Sequence, residues 1–277
     1  MRAVADFGLI YYNFPGHTLE QFAAFAGAAG FQGAEIAIDQ VWREKEPTED
    51  PAARADEVRA MFARQNMHLS ALAAGNDFLQ PDDAGMARQV ERLQRVCRLA
   101  ERAGTKILRI DGGWAKDAVP QARWFDLMVA GLKAMRPFIE REGYTLALDN
   151  HGVVTNDADL QVRIFDAVGS DHLGANVDTM NYRWAGHDLP TVGRYYHVIA
   201  PYARHVHFKD GRGSREHYRG TALGEGEIDL AGAVRELQAA GYAGMWTVEY
   251  EGPKAEAEAG YRKGLDWLKA HVGVTGI

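Results

Sequence analysis

Four short apolar runs in the C-terminal half of the chain each carry a side chain able to bind a metal at or near their end. Asp149 follows Tyr144-Thr-Leu-Ala-Leu148, Asp178 follows Leu173-Gly-Ala-Asn-Val177, His207 lies in His205-Val-His-Phe-Lys209, and Glu249 follows Met245-Trp-Thr-Val248. Three oxygen donors and one nitrogen suit a single Mn²⁺, Mg²⁺ or Co²⁺ ion better than a thiolate-rich structural zinc site, and Zn²⁺ remains compatible. An unpaired carboxylate among Trp246, Thr247 and Val248 would be costly to bury, which points Glu249 to function. Asp178 reads equally well as a ligand or as a helix N-cap. His205 and His207 share a strand face about 6.6 Å apart along the chain, so the one nearer the carboxyl end, His207, is the expected ligand, with His205 behind it. On the same side as Asp149 but farther out, His151 is a candidate general base or substrate hydrogen-bonding group. Lys209 can polarise a substrate oxygen or act as an acid if desolvated, and the alternative for it is an ion pair with Asp210 or a neighbouring acid.

Positioning these groups falls to strands and helices that alternate along the whole chain. Strand-forming runs occupy 4–10, 33–38, 68–74, 106–110, 144–149, 173–178, 205–209 and 245–250, and helical segments separate them. Such alternation implies parallel pairing with helical crossovers. Thr18-Leu-Glu-Gln21 reads as a capping box, Asp50-Pro51 as an N-cap followed by a first helical residue, and Val90, Leu93, Val96 and Ala100 as an inward helical stripe. Gly30, Gly104, Gly143 and Gly241 close helices in left-handed conformations. An open doubly wound sheet would call for a glycine-rich phosphate loop, but the one Gly-rich segment, Gly224-Glu-Gly-Glu-Ile-Asp229, carries acids where a phosphate would sit. The expected fold is a single-domain (β/α)8 TIM barrel over residues 1–277, with its active site at the carboxyl ends of the strands.

Bulk composition narrows the partners. A chain of 277 residues that is 47% hydrophobic and 25% charged can fill one such barrel, and its net charge of −7 disfavours nucleic acid and anionic membrane. No N-terminal stretch is long enough to span a bilayer, and the lone Cys97 cannot form an internal disulfide; cytoplasmic residence is expected.

Taken together, Leu148-Asp-Asn-His-Gly152, Ala175-Asn-Val-Asp-Thr179, His205-Val-His-Phe-Lys-Asp210, Gly224-Glu-Gly-Glu-Ile-Asp229 and Val248-Glu249 resemble the sugar phosphate isomerase/epimerase superfamily, with its xylose isomerase-like barrel. The likeness extends to Gly33-Ala-Glu35-Ile and Gly75-Asn-Asp-Phe78. It implies one divalent metal, Mn²⁺ foremost, held by a Glu-Asp-His-Glu set matched here by Asp149, Asp178, His207 and Glu249, with the first and last acids also moving protons. Asp149 departs from the family glutamate and is one methylene shorter, which shifts the proton-transfer role toward His151 and Lys209. The implied activity is isomerisation or epimerisation of a ketose, keto-sugar or keto-cyclitol through an enediolate. The alternatives are β-elimination from a 3-keto sugar, as in dehydratases and C-glycoside deglycosidases, and a non-catalytic sugar-binding or partner subunit. Arg109, Asp111 and Arg212 are candidates for binding hydroxyls, and Trp114, Tyr12, Phe14 and Trp184 for stacking against the substrate. Trp184 reads equally as a homo-oligomer contact.

Overall fold

The computed structural model describes residues 5–46 and 50–272. Its strands are β1 (Phe7–Ile10), β2 (Gly33–Ala37), β3 (His68–Ala73), β4 (Ile107–Ile110), β5 (Thr145–Asp149), β6 (Leu173–Asp178), β7 (Ala203–Phe208), β8 (Asp210–Arg212), β9 (Arg219–Thr221) and β10 (Trp246–Val248). Eight of them close into a parallel barrel in the order β1-β10-β7-β6-β5-β4-β3-β2, while β8 and β9 form a separate antiparallel hairpin. The barrel expected from the alternating pattern is therefore present, and each expected run overlaps a barrel strand. The first run begins at Val4, which lies outside the described residues.

The helices are α1 (Leu19–Ala29), α2 (Pro51–Ala63), α3 (Asp83–Ala103), α4 (Trp124–Glu142), α5 (Ala158–Val168), α6 (Asn181–Ala185), α7 (Leu189–Ile199), α8 (Leu230–Ala239) and α9 (Ala257–Val272). Their ends follow the local chemistry of the sequence. Thr18 and Gln21 form the reciprocal capping box of α1, and Asp50 caps α2 with Pro51 in its first turn. Gly30, Gly104 and Gly143 take φ values of 92°, 109° and 74° where α1, α3 and α4 stop. Two features were not legible. The segment after β6 makes two helices, α6 and α7, and the run through Lys209 continues into the β8–β9 hairpin.

Apolar faces of the helices pack on the outside of the barrel, burying Phe22, Phe62, Leu93, Val96, Met135, Phe165, Val192 and Leu265. Each contributes about 1.5–3 kcal/mol in transfer free energy, so this ring dominates the stability. Phe14, expected at the substrate wall, belongs here instead. Asn13 adopts a left-handed φ of 63°, and Phe14 is 7% exposed within an aromatic cluster of Tyr11, Phe22, Phe25 and Tyr261. No helix among the described residues is long and apolar enough to cross a membrane.

Cys97 is buried on α3, and burial pushes its thiol up to about 12. Because burial disfavours the thiolate, the folded protein should not react with a disulfide thiol reagent at pH 8, and one equivalent should react after unfolding in guanidinium. Rapid labelling of the folded protein would contradict this placement.

Candidate active site

Strand ends are held to one another by side chains that imitate a neighbouring backbone. Asn150 donates its amide to the carbonyl of Asp178 (3.0 Å) and accepts from the Asp178 N–H (2.9 Å). Asn76 does the same to Asp111, at 3.2 and 2.9 Å. The Thr179 hydroxyl donates to the Lys209 carbonyl (2.6 Å) and accepts from its N–H (2.9 Å). Each clasp extends the ladder past the last regular pair, and each fixes the backbone of a candidate site residue.

Above these clasps, Asp178, His207 and Glu249 converge. One ligand atom from each lies within 4.8 Å of the others. His207 Nδ1 is 3.1 Å from Glu249 Oε2 and 3.9 Å from Asp178 Oδ2. Asp178 Oδ1 accepts from the N–H groups of Met180 and Asn181 at 2.8 Å, at the start of α6, and leaves Oδ2 facing inward. That inward oxygen is buried without a hydrogen bond among the described residues. The ammonium of Lys209 stands 3.0 Å from it and 3.3 Å from Glu249 Oε1, and donates to Asn181 Oδ1 at 2.9 Å. Lys209 thus pairs with Asp178, Glu249 and, at 3.5 Å, Glu251, and not with Asp210.

Burial shapes the charge states. It pushes the Asp178 carboxyl up to about 7 against the pull of Lys209. Burial acts the same way on Glu249, but Lys209 and His207 outweigh it and hold this carboxyl below the usual range. For His207, burial favours the neutral ring, yet Glu35 and Glu249 raise its imidazole to about 10.

A second set of charges sits deeper in the barrel, centred on Glu35, to which the sequence reading gave no role. Glu35 on β2 accepts from His205 Nε2 (2.9 Å) and His207 Nε2 (2.7 Å) with one oxygen, and from Arg109 Nε (2.7 Å) with the other. Arg109 Nη1 reaches Asp149 (2.8 Å) and Asp111 (3.2 Å). The other oxygen of Asp149 accepts from the Asn176 amide at 3.1 Å. Asp149 is therefore tied to Arg109 and Asn176 and stands apart from the Asp178, His207 and Glu249 group. Strand register gives the reason: Asp149 is level with Asn176, which is level with His205, whereas Asp178 is level with His207. With its shorter side chain, Asp149 ends one step behind the others. The signal for Glu35 was available, since a carboxylate inside the run Gly33–Ala37 calls for the same desolvation argument as Glu249.

The donors fit a divalent ion. Glu35, Asp111, Asp149, Asp178 and Glu249 outnumber Arg109, Lys209 and His207 within one low-dielectric space. The group of Asp178 Oδ2, His207 Nδ1 and Glu249 Oε2 offers two carboxylates and an imidazole, a set common to Mn²⁺, Co²⁺ and Zn²⁺. Oriented by Glu35 at Nε2, His207 turns Nδ1 toward these acids, the arrangement in which an outer carboxylate steers a ligating imidazole.

Other expected residues divide between the mouth and the surface. His151 is exposed beside Trp114, their rings edge-on at 6.3 Å, and Trp114 is 53% exposed. Trp184 lines a cavity of about 390 Å³ with Trp124, Phe125, Met128 and Val153, next to the loop that carries His151. Arg212 lies on the β8–β9 hairpin and donates to the Glu225 carbonyl (2.9 Å), so the structure ties it to a neighbouring loop and not to the acids of the mouth. The acidic Gly224–Asp229 segment is held by Asp210, whose carboxylate accepts from the N–H groups of Gly211 (2.8 Å), Gly224 (3.0 Å), Gly226 (2.9 Å) and Ile228 (3.3 Å). A Cβ on Gly226 would collide with that carboxylate, which explains the glycine.

A closed parallel barrel with its buried acids and histidine gathered at the carboxyl ends of β6, β7 and β10 defines the architectural class. The chain belongs to the family described as xylose isomerase-like TIM barrel, whose model matches residues 23–271. D-psicose 3-epimerase from Clostridium cellulolyticum H10, solved with D-tagatose, is 14% identical with a TM-score of 0.78, covering 96% of this chain and 99% of that one. IolI protein, solved with a zinc atom, is 16% identical with a TM-score of 0.77, covering 97% and 98%. The 3-keto-D-glucoside 4-epimerase from E. coli is 16% identical with a TM-score of 0.74, covering 96% and 100%. At these identities the likeness is one of fold. No curated protein matches the sequence.

Asp210→Ala should destabilise the protein by about 3 kcal/mol or more, because it leaves several backbone donors without their anionic acceptor. Chemical denaturation measures this, and limited proteolysis should cut first between residues 222 and 229. An unchanged denaturation midpoint would rule out the clasp.

Proposed function

We propose that the protein is a divalent-metal-dependent isomerase or epimerase acting on a ketose, keto-sugar or keto-cyclitol. The observation that carries the reading is the convergence of Asp178, His207 and Glu249 on one buried point at the mouth of the barrel. These three would hold the ion, with Mn²⁺ foremost and Mg²⁺, Co²⁺ and Zn²⁺ also fitting the donors. Asp149, held by Arg109, would support the site from behind. When bound, such an ion supplies Lewis-acid polarisation of a carbonyl and an adjacent hydroxyl. The epimerase and zinc-bound structures among the fold relatives support the reading.

The chain's own groups account for the rest. Lys209, fixed between Asp178, Glu249 and Asn181, holds a proton beside the reacting carbon. Glu249 lies next to it as a proton carrier, and His151 and Trp114 stand at the entrance, where an exposed indole can stack on a sugar ring. Aromatic faces of this kind bury sugar C–H surface while leaving the hydroxyls to polar partners. Removing the proton between carbonyl and hydroxyl gives an enediolate, which returns a proton to the other face or to the neighbouring carbon. The substrate is a small carbohydrate and residence is cytoplasmic.

A second reading, β-elimination from a 3-keto glycoside, is favoured by one observation. The aromatic-lined cavity beside the 151–157 loop could accept an apolar leaving group.

Incubation of the metal-loaded protein with ketoses, inososes and 3-keto-glycosides in D₂O, followed by NMR, tests both. Deuterium should enter the recovered substrate and its epimer or isomer, and a released aglycone would favour elimination. Metal bound tightly with no exchange into any sugar would point to a binding subunit. Asp178→Ala should weaken Mn²⁺ or Co²⁺ binding by more than the roughly 10–100-fold that loss of an outer partner costs, as read by calorimetry. Wild-type protein that binds none of these ions would overturn the metal-centred proposal.

A further inference from the structure

Epimerisation needs protonatable groups on both faces of the reacting carbon, and Glu249 with Lys209 serves one. We infer that Asp111, just past the end of β4, is the catalytic base on the other face; the inference rests on the keto-sugar reading above. In the closed ring β4 lies four strands from β10 in either direction, so Asp111 and Glu249 follow strands on opposite sides of the barrel. The acids between and beneath them are already committed. Asp149 is bound through both oxygens to Arg109 and Asn176, and Glu35 through both to Arg109, His205 and His207.

Asp111 differs. Its Oδ1 contacts Arg109 at 3.2 Å, its other oxygen has no hydrogen bond among the described residues, and the side chain is 14% exposed to the mouth. Asn76 locks its backbone through N–H and carbonyl together, which fixes where that free oxygen can reach. Burial raises its affinity for a proton against the pull of Arg109, with Asp149, Glu35 and His151 the other charges facing it. His151, exposed and without a side-chain hydrogen bond among the described residues, is the rival for the role.

In the step assigned to Asp111, the carboxylate takes the proton from the carbon beside the ketone. The C–H electron pair becomes the C=C bond of the enediolate, and the carbonyl π pair moves to oxygen. A proton delivered from the Glu249–Lys209 side to the opposite face completes inversion. Asp111 then loses its proton to solvent and solvent restores the other, so no oxidant or reductant enters.

The test compares wild type, Asp111→Asn, Asp111→Glu, His151→Gln and Glu249→Gln, each Mn²⁺-loaded, in D₂O with both epimers of any keto sugar the wild type converts. Asp111→Asn should lower kcat by about 10²–10⁴-fold, the range for loss of a general base, with KM within threefold and sugar binding, read by tryptophan fluorescence, unchanged. It should still exchange deuterium into one epimer only, and Glu249→Gln into the other only. Asp111→Glu, which keeps the carboxylate, should recover at least tenfold over Asp111→Asn and also serves if the asparagine variant fails to fold. Exchange into both epimers at the wild-type rate by Asp111→Asn, or loss of that face's exchange in His151→Gln alone, overturns the assignment. No exchange by the wild type into any sugar fails the keto-sugar reading, and this inference with it.

Discussion

Charge placed inside a barrel has to be matched there, and the carboxylate of Glu35 is where the matching is concentrated. Three donors on two strands meet its two oxygens: Arg109 from β4, and His205 and His207 from β7. Burial opposes the ionised form, yet His207 and Arg109 hold the carboxyl well below its ordinary range. Removing one member would leave a buried charge uncompensated, at a cost of about 3–5 kcal/mol. Glu35 therefore sets the ring orientation of His207, and through Arg109 it governs what remains available to Asp149 and Asp111. The upper group of Asp178, His207, Glu249 and Lys209 rests on this lower one.

The arrangement separates two jobs that a single carboxylate at the end of β5 could have shared. Asp149 is absorbed into the supporting layer, while Asp111, one strand over, keeps an oxygen free at the mouth. Level with Asn176 and His205, and one step below Asp178, the Asp149 side chain meets Arg109 and Asn176.

Much of this was legible in the sequence. The eight strand runs and the helix caps follow from period and turn chemistry, and Asp178, His207 and Glu249 stood out as polar groups ending apolar runs. Asp149 shared that signature, and nothing local distinguishes it; its partner Arg109 is 40 residues away in sequence, and only the register between β4, β5 and β6 brings them together. Glu35 differs in that its place inside an apolar run marked it locally, but its three partners are distant in the chain. Phe14 read as an entrance residue because it follows a strand end, but the left-handed turn at Asn13 sends it into the helix layer. The β8–β9 hairpin escaped notice because its clasp, Asp210, works through backbone donors that any residue could provide.

The side-chain clasps at Asn76, Asn150 and Thr179 bear on how such a barrel can change over time. Each ties a strand end directly to its neighbour, so the loop that follows carries little responsibility for holding the acids in place. Loops on this rim can lengthen, shorten or exchange sequence while the acids below keep their spacing. A scaffold of that kind accepts new substrates by altering its rim, and the residues most worth preserving in grafting a foreign loop are two asparagines and a threonine buried beneath it.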